Sequence, residues 1–161
     1  MRLAVGFICC AFALFVGCAS NDRFGGVQRI DAHWQGGNLD SRAMQVDLRA
    51  HTLHYKSAHG TAEYKLTPAD MHDLSEKVRD ASAVASGTIG RGVPCGAICE
   101  LRLHRALGSN RWEIRDTRSA DPGAQTALIA LARQLNALRE RCVLASQIEH
   151  RQIQMASARW R

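Results

Sequence analysis

Three cysteines outside the N-terminal segment, Cys95, Cys99 and Cys142, are the residues best suited to redox or metal chemistry. A redox-active dithiol normally has two residues between its cysteines and lies at a helix N-terminus, where the helix dipole lowers a thiol pKa. Here three residues separate Cys95 from Cys99, and an alternating, strand-like segment follows. A zinc site would need a second pair of Cys or His ligands, and the sequence supplies no close pair. The cysteines are therefore predicted to be structural.

Histidines and glycines in two further segments also lack the pattern of a known site. His51, His54 and His59 form the one cluster of imidazoles in the sequence. His51 and His54 would point to opposite faces of a strand, so they cannot chelate together without a turn between them. The segment Gly87–Gly92 leads to Pro94 and a strand rather than into a helix N-terminus, unlike a phosphate-binding loop. We predict no metal and no cofactor.

Acidic pairs are the remaining candidates for catalysis. Asp31 and Asp47 would flank a sugar if neighbouring strands brought them together, as the paired carboxylates of glycosidases do. Solvation of two strand surfaces explains both residues equally well. No serine lies in a nucleophile-elbow pattern, and no metalloprotease motif occurs. The chain is therefore expected to be non-enzymatic, with a hydrolase kept as an alternative.

Alternating apolar and polar residues predict the sheet that would position these side chains. In the segment from Val27 to Trp34, Ile30, Ala32 and Trp34 share one face, while charged residues occupy the other. Similar alternation recurs after short polar or glycine-containing turns. The predicted strands cover residues 27–34, 44–48, 53–55, 62–66, 99–104 and 111–115.

Two helices are predicted, each beginning at a capping residue followed by proline: Thr67-Pro68 and Asp121-Pro122. Each has an apolar face at helical spacing. The predicted fold class is α+β, an antiparallel sheet with two helices packed on one face, in two ββα-like halves. The apolar faces comprise Met71, Leu74, Val78 and Ala81 in the first helix, and Leu128, Leu131, Leu135, Leu138 and Cys142 in the second.

The N-terminal segment is typical of a secretory signal. Arg2 is followed by an uncharged apolar run that is shorter than the roughly 20 residues of a membrane-spanning helix. Leu14-Phe15-Val16-Gly17-Cys18 resembles the lipobox of bacterial lipoproteins, although that family usually has leucine where Phe15 stands. The resemblance implies cleavage before Cys18, acylation of Cys18 and, from Ala19, an outer-membrane lipoprotein facing the periplasm. Ordinary signal cleavage after Ala19 is the alternative.

This interpretation divides the chain into a signal peptide (1–17), a tether (18–26), one α+β domain (27–148) and a basic C-terminal extension (149–161). Removal of residues 1–17 leaves 144 residues with 20 basic and 15 acidic side chains. That length suffices for one domain with a core. The modest positive excess favours an anionic partner such as lipid headgroups, cell-wall polymers or an acidic protein. Nucleic acid is not an expected partner of an exported protein.

An exported chain meets an oxidising compartment, so a disulfide is expected. The order of strands and helix places Cys142 about 20 residues into the second helix, far from Cys99. Because a disulfide needs Cα atoms within about 7 Å, we predict Cys95–Cys99, with Cys142 left as a core thiol. Cys99–Cys142 is the alternative, since both cysteines belong to core-facing patterns.

The order of short hairpins and two helices resembles small bacterial protease-inhibitor domains of the emfourin type. In size and export the chain is also similar to immunity lipoproteins that neutralise peptidoglycan-attacking toxins. These resemblances imply a protein-binding module, an inhibitor or immunity protein, whose partner is an envelope or secreted protein. The binding surface is expected in two loops, 34–38 and 87–95, with Trp34, Gln35, Asn38, Arg91 and Pro94 as candidate residues. The alternative is a structural lipoprotein that contacts the cell wall or membrane surface.

Overall fold

The computed structural model describes residues 22–35, 41–89, 98–114 and 122–158. Within these ranges the chain forms one seven-stranded sheet and two α-helices. The predicted signal peptide and Cys18 lie outside the described residues. The strands are β1 Val27–Gln35, β2 Ser41–Asp47, β3 Thr52–Ser57, β4 Gly60–Lys65, β5 Gly87–Ile89, β6 Ile98–Arg105 and β7 Ser109–Ile114, and the helices are α1 Pro68–Ser82 and α2 Pro122–Ala158.

The strands are arranged in the order β4-β3-β2-β1-β6-β7-β5. All neighbours are antiparallel except β5 and β7. The first half contributes β1–β4 and α1, the second contributes β5–β7 and α2, and the β1–β6 pair joins them at the centre. The α+β prediction, with two helices on one face of a mainly antiparallel sheet, is confirmed.

The sequence predicts a loop over residues 87–95, but the first three residues of that segment form β5, which pairs in parallel with β7. Three residues are too few to show alternation, so the pattern contains no sign of this strand. The rest of that loop, residues 90–95, lies outside the described residues.

Helix α1 begins with a reciprocal cap. Thr67 Oγ1 accepts a hydrogen bond from the Asp70 amide at 3.2 Å, and Asp70 Oδ2 accepts one from the Thr67 amide at 2.9 Å. The helix ends beside the opposite part of the sheet. There Arg105 of β6 donates to the Ser82 carbonyl, and the Trp112 indole donates to the Ala85 carbonyl. The helix therefore crosses the sheet from the β4 edge towards the β5 edge.

The apolar faces of both helices pack on one side of the sheet to form the core. All the residues predicted for these faces are buried, including Cys142. Burial of a leucine or valine side chain contributes about 1.5–3 kcal/mol, so this layer supplies most of the driving force for folding. The sheet contributes the matching apolar positions, with Ile30, Ala32, Leu53 and Leu101 fully buried.

The C-terminal part of the predicted tether belongs to the folded domain. Asp22–Phe24 form a 3-10 turn, and Phe24 is buried in the core. Gly25 and Gly26 then adopt left-handed backbone angles (φ 57° and 78°) that lead the chain into β1. The tether prediction for 18–26 is therefore too long, because one phenylalanine among polar residues gives no periodic pattern.

Helix α2 has 37 residues, which corresponds to a length of about 55 Å. Among the side chains of α2 that the structure describes, Cys142 is the last fully buried one, and Val143 is partly buried against the core. The helix then continues unbroken to Ala158, within the segment 149–161 predicted as a basic extension. Among the described residues, no helix is both long and apolar enough to cross a bilayer.

Candidate binding surface on the open face of the sheet

The sheet has one face under the helices and one face on which no described helix packs. We call the second face the open face. Because side chains alternate along each strand, Arg29 and Asp31 lie on it, on the side of β1 opposite Ile30 and Ala32. Five basic and five acidic side chains share this face with three histidines: Arg29, Lys56, Lys65, Arg102, Arg111, Asp31, Asp47, Glu63, Glu100, Glu113, His33, His54 and His104.

Asp31 lies at the centre of the open face, on β1. Its Oδ2 is 2.7 Å from Nε2 of His104 on β6, and its Oδ1 is 3.1 Å from Nε of Arg29. Nε2 of His104 also lies 3.2 Å from Nη2 of Arg29, so the three side chains form one cluster. The antiparallel register of β1 and β6 brings the two strands together here. The Asp31 carboxylate is thus held between two cationic or donor groups.

Glu100 forms a second charged cluster on β6 and β7. Its carboxylate accepts a hydrogen bond from Arg102 at 3.0 Å, and Arg111 approaches both oxygens, at 2.9 and 3.1 Å. Two-point contact between a guanidinium and a carboxylate fixes the relative orientation of the groups. Arg102 and Arg111 are therefore positioned by Glu100 while their outer surfaces remain available to a partner.

A depression of about 610 Å³ lies on the open face across β1–β4. Its floor includes Ala43, which is flanked on the neighbouring strands by His33 and Lys56. The short alanine side chain between two long ones leaves the gap. His54 and Glu63 form part of the wall and are 3.6 Å apart, Nδ1 to Oε2.

The carboxylates considered for catalysis have other contacts. Asp31 is engaged by Arg29 and His104, and Asp47 Oδ1 accepts hydrogen bonds from the Arg49 and Ala50 amides at 2.8 Å in the β2–β3 turn. His51 lies in that turn with φ 55°, apart from His54 on β3. Within the described ranges, no group of three or more potential metal ligands occurs. The arrangement suits recognition by charge and hydrogen bonding.

The prediction of Trp34 as a binding residue is wrong. Trp34 is the penultimate residue of β1 and only 4% exposed. Its indole Nε1 donates to Asn136 Oδ1 at 3.1 Å, its ring meets the Tyr55 ring edge-on at 6.4 Å, and Arg139 Cζ lies 5.7 Å from its centroid. The alternation that puts Ile30 and Ala32 in the core continues to Trp34, which fastens α2 to the sheet.

The other predicted site residues are only partly covered by the structure. Gln35 is the last residue of β1, whereas Asn38, Arg91, Pro94 and Cys95 lie outside the described residues. Cys99 belongs to β6, but its side chain is not among those described, so the predicted Cys95–Cys99 disulfide stays a prediction. Cys142 is a free, buried thiol, as expected for a core cysteine, and the alternative Cys99–Cys142 bond is absent.

Asp70 forms a buried network that joins α1, β4 and α2. It accepts hydrogen bonds from Thr67 Oγ1 at 2.7 Å and Tyr64 at 3.1 Å, and it forms an ion pair with Arg141. Burial acts to raise the pKa of Asp70, but the hydrogen bonds from Thr67 and Tyr64 and the charge of Arg141 outweigh burial and hold that pKa below its ordinary value. Burial and the hydrogen bond to Asp70 raise the pKa of Tyr64. Sequence reasoning identified the cap but missed the link to Arg141, which depends on how the helices pack.

Cys142 is poorly suited to nucleophilic chemistry. Burial raises the pKa of its thiol, and the negative charge of Glu63 adds to the effect.

In comparisons with known proteins, no protein-family model, no curated protein and no solved structure matches this chain.

Proposed function

We propose that this chain is a lipid-tethered envelope protein that binds another protein through the open face of its sheet and thereby acts as an inhibitor or immunity protein. The observation that carries the proposal is a broad, charge-balanced face on which no described helix packs. The partner is an envelope or secreted protein with a surface of mixed charge. This moves the binding surface from the two predicted loops to the sheet.

The size of the open face supports a protein partner. Seven strands spaced about 4.8 Å apart span about 29 Å, and a six-residue strand is about 20 Å long. The resulting footprint of about 600 Å² approaches the roughly 800 Å² that each partner buries in a standard protein–protein interface. Loops at the rim of the sheet add to this area.

The charge pattern also supports a protein partner. A polyanion such as a cell-wall polymer is best bound by a surface of one sign, whereas this face carries equal numbers of acidic and basic groups. Ion pairs such as Asp31–Arg29 and Glu100–Arg111 already fix the side chains, so less conformational entropy is lost when a partner binds. Alternating charges of fixed position favour one complementary surface over others.

The Ala43 depression is suited to receive an anchoring side chain of the partner. Binding energy in protein interfaces is concentrated in a few central residues that fill pockets and exclude water. The depression has a small apolar floor at Ala43 and polar walls that include His54 and Glu63. Filling it should remove binding while leaving the core unchanged, because the Ala43 side chain points away from the helices.

The test uses the full chain, produced in a bacterial envelope and extracted in mild detergent. Bound proteins are identified by mass spectrometry for the parent, for Ala43→Arg, and for Ala106→Arg, which makes the same change in the exposed β6–β7 turn. We expect one stoichiometric, salt-resistant partner that Ala43→Arg loses and Ala106→Arg retains. Equal capture by both variants would refute the placement. Salt-labile retention of cell-wall material alone would favour the structural envelope lipoprotein instead.

A further inference from the structure

The distal part of α2 carries three exposed apolar side chains, Leu144, Ile148 and Met155, which are 57%, 57% and 63% exposed. At 3.6 residues per turn they fall within an arc of about 40°. That arc lies roughly opposite Cys142, which is fully buried in the core. The stripe formed by these three residues therefore lies on the outer surface of the helix layer, facing away from the sheet.

The N-terminal end of the described chain lies on the same side of the domain. The 3-10 turn Asp22–Phe24 packs beside α1, and Arg23 Nη2 is 3.5 Å from Nδ1 of His72 on that helix. The chain thus enters the domain at the helix layer. The open face is on the other side of the sheet.

The distance from the proposed lipid anchor is short. Cys18 and Asp22 are four residues apart, which allows a span of at most about 14 Å in any conformation. An acyl chain on Cys18 would therefore keep the helix layer next to the bilayer surface. This step rests on the lipid tether in the proposed function.

We propose that the helix layer faces the membrane and that Leu144, Ile148 and Met155 insert into the lipid interface, while the open face points away from it. A helix with apolar residues on one side and basic residues beside them binds a bilayer in this orientation. Arg151 is exposed next to the stripe, and Arg159, Trp160 and Arg161 follow the helix in the sequence. Arginine attracts anionic headgroups, and tryptophan prefers the lipid–water interface.

A second copy of the chain fits the stripe less well. Arg151 lies in or next to the same arc, between Ile148 and Met155, where a helix dimer would need an apolar residue at its seam. At a lipid surface the same arginine extends its charged end among the headgroups while its methylene stem covers apolar surface. The pattern of residues thus favours lipid over a helical partner.

The test places a reporter in the stripe of the full chain. Ile148→Trp and the control Leu107→Trp, at a turn residue that is 95% exposed, are reconstituted into phosphatidylethanolamine–phosphatidylglycerol vesicles with brominated acyl chains. Emission is compared with that of the unsubstituted chain, which supplies the background of the native tryptophans. We expect the emission added by Ile148→Trp to shift to shorter wavelength and to be lost to bromine quenching. The emission added by Leu107→Trp should remain solvent-like and unquenched.

Unquenched emission from the Ile148→Trp reporter would overturn the proposal, whether it is solvent-like or blue-shifted by contact with protein. Mass spectrometry of the same samples measures acylation of Cys18, with Cys18→Ser as the unacylated control. An acylated chain without quenching refutes the orientation and leaves the proposed function standing. If Cys18 is not acylated, both the lipid tether and this orientation are refuted. Binding of a partner by the open face is tested independently, by the capture experiment with Ala43→Arg.

Discussion

Replacement of Asp70 by alanine should destabilise the domain more than any other single change of a polar side chain described above. The substitution removes the Asp70 half of the reciprocal cap, the bond from the Thr67 amide, at a cost of up to about 1 kcal/mol, while Thr67 Oγ1 still accepts from the amide of residue 70. It also leaves the Tyr64 hydroxyl without its acceptor in a partly buried position, at a cost of about 1–3 kcal/mol. Arg141 is half exposed and can be solvated, so the lost ion pair adds little. We expect the free energy of unfolding to fall by about 2–4 kcal/mol.

Urea denaturation followed by circular dichroism measures this change, with Asp73→Asn as a control at an exposed position of the same helix. The effect should depend on pH. The folded-state pKa of Asp70 is lowered, so its stabilisation is present above the unfolded-state pKa and is lost as pH falls through the folded-state value. The difference between the parent and Asp70→Asn should therefore shrink in acid. A loss below about 0.5 kcal/mol for Asp70→Ala, typical of a surface change, or a pH-independent difference for Asp70→Asn, would refute the reasoning.

Three further predictions concern the helix layer. Leu135→Ala should cost about 2–5 kcal/mol because it opens a cavity in the core, whereas Leu144→Ala should change stability by less than about 0.5 kcal/mol, as chemical denaturation will show. Trp34→Phe should lower the free energy of unfolding by roughly 0.5–1.5 kcal/mol, because the hydrogen bond to Asn136 is lost. A double-mutant cycle with Asn136→Ala should give a coupling energy of that size, and additive effects of the two substitutions would argue against the bond. The Cys142 thiol should resist alkylation in the native domain and react once the domain is unfolded, as peptide mass spectrometry can measure. Rapid labelling of Cys142 in the native domain would contradict its burial.

Much of the fold was predictable because each pattern is local. The alternation around Ile30 and Asp31 identified the strand and both of its faces, and Thr67-Pro68 marked the start of α1. The order of the strands was not predictable, since the pairing of β1 with β6 depends on contacts between distant segments. β5 was missed for a different reason, because three residues with one glycine have no measurable period.

The candidate site was also predictable only in part. The charged character of the open face follows from alternation on β1, β2 and β6, but the individual contacts on that face do not. Asp31 meets His104 only because the β1–β6 register places His104 opposite Arg29, the neighbour of Asp31 on the same face. The depression exists because Ala43 lies between His33 and Lys56 on adjacent strands. Trp34 was misassigned because proximity to a polar turn was given more weight than its place in the alternating pattern.

The position of β1 at the centre of the sheet has a consequence for how the chain acquires its structure. Strands β1–β4 can pair through short turns, but the other edge of β1 stays unpaired until β6 is present, and the contacting residues Asp31 and His104 are 73 positions apart. Contacts of such long range slow folding, because the chain loses entropy before it gains them. The first half alone therefore leaves the central strand β1 with one edge unpaired. In the exported chain proposed above, which would cross a membrane in an extended form, the sheet would close only after the second half has followed the first.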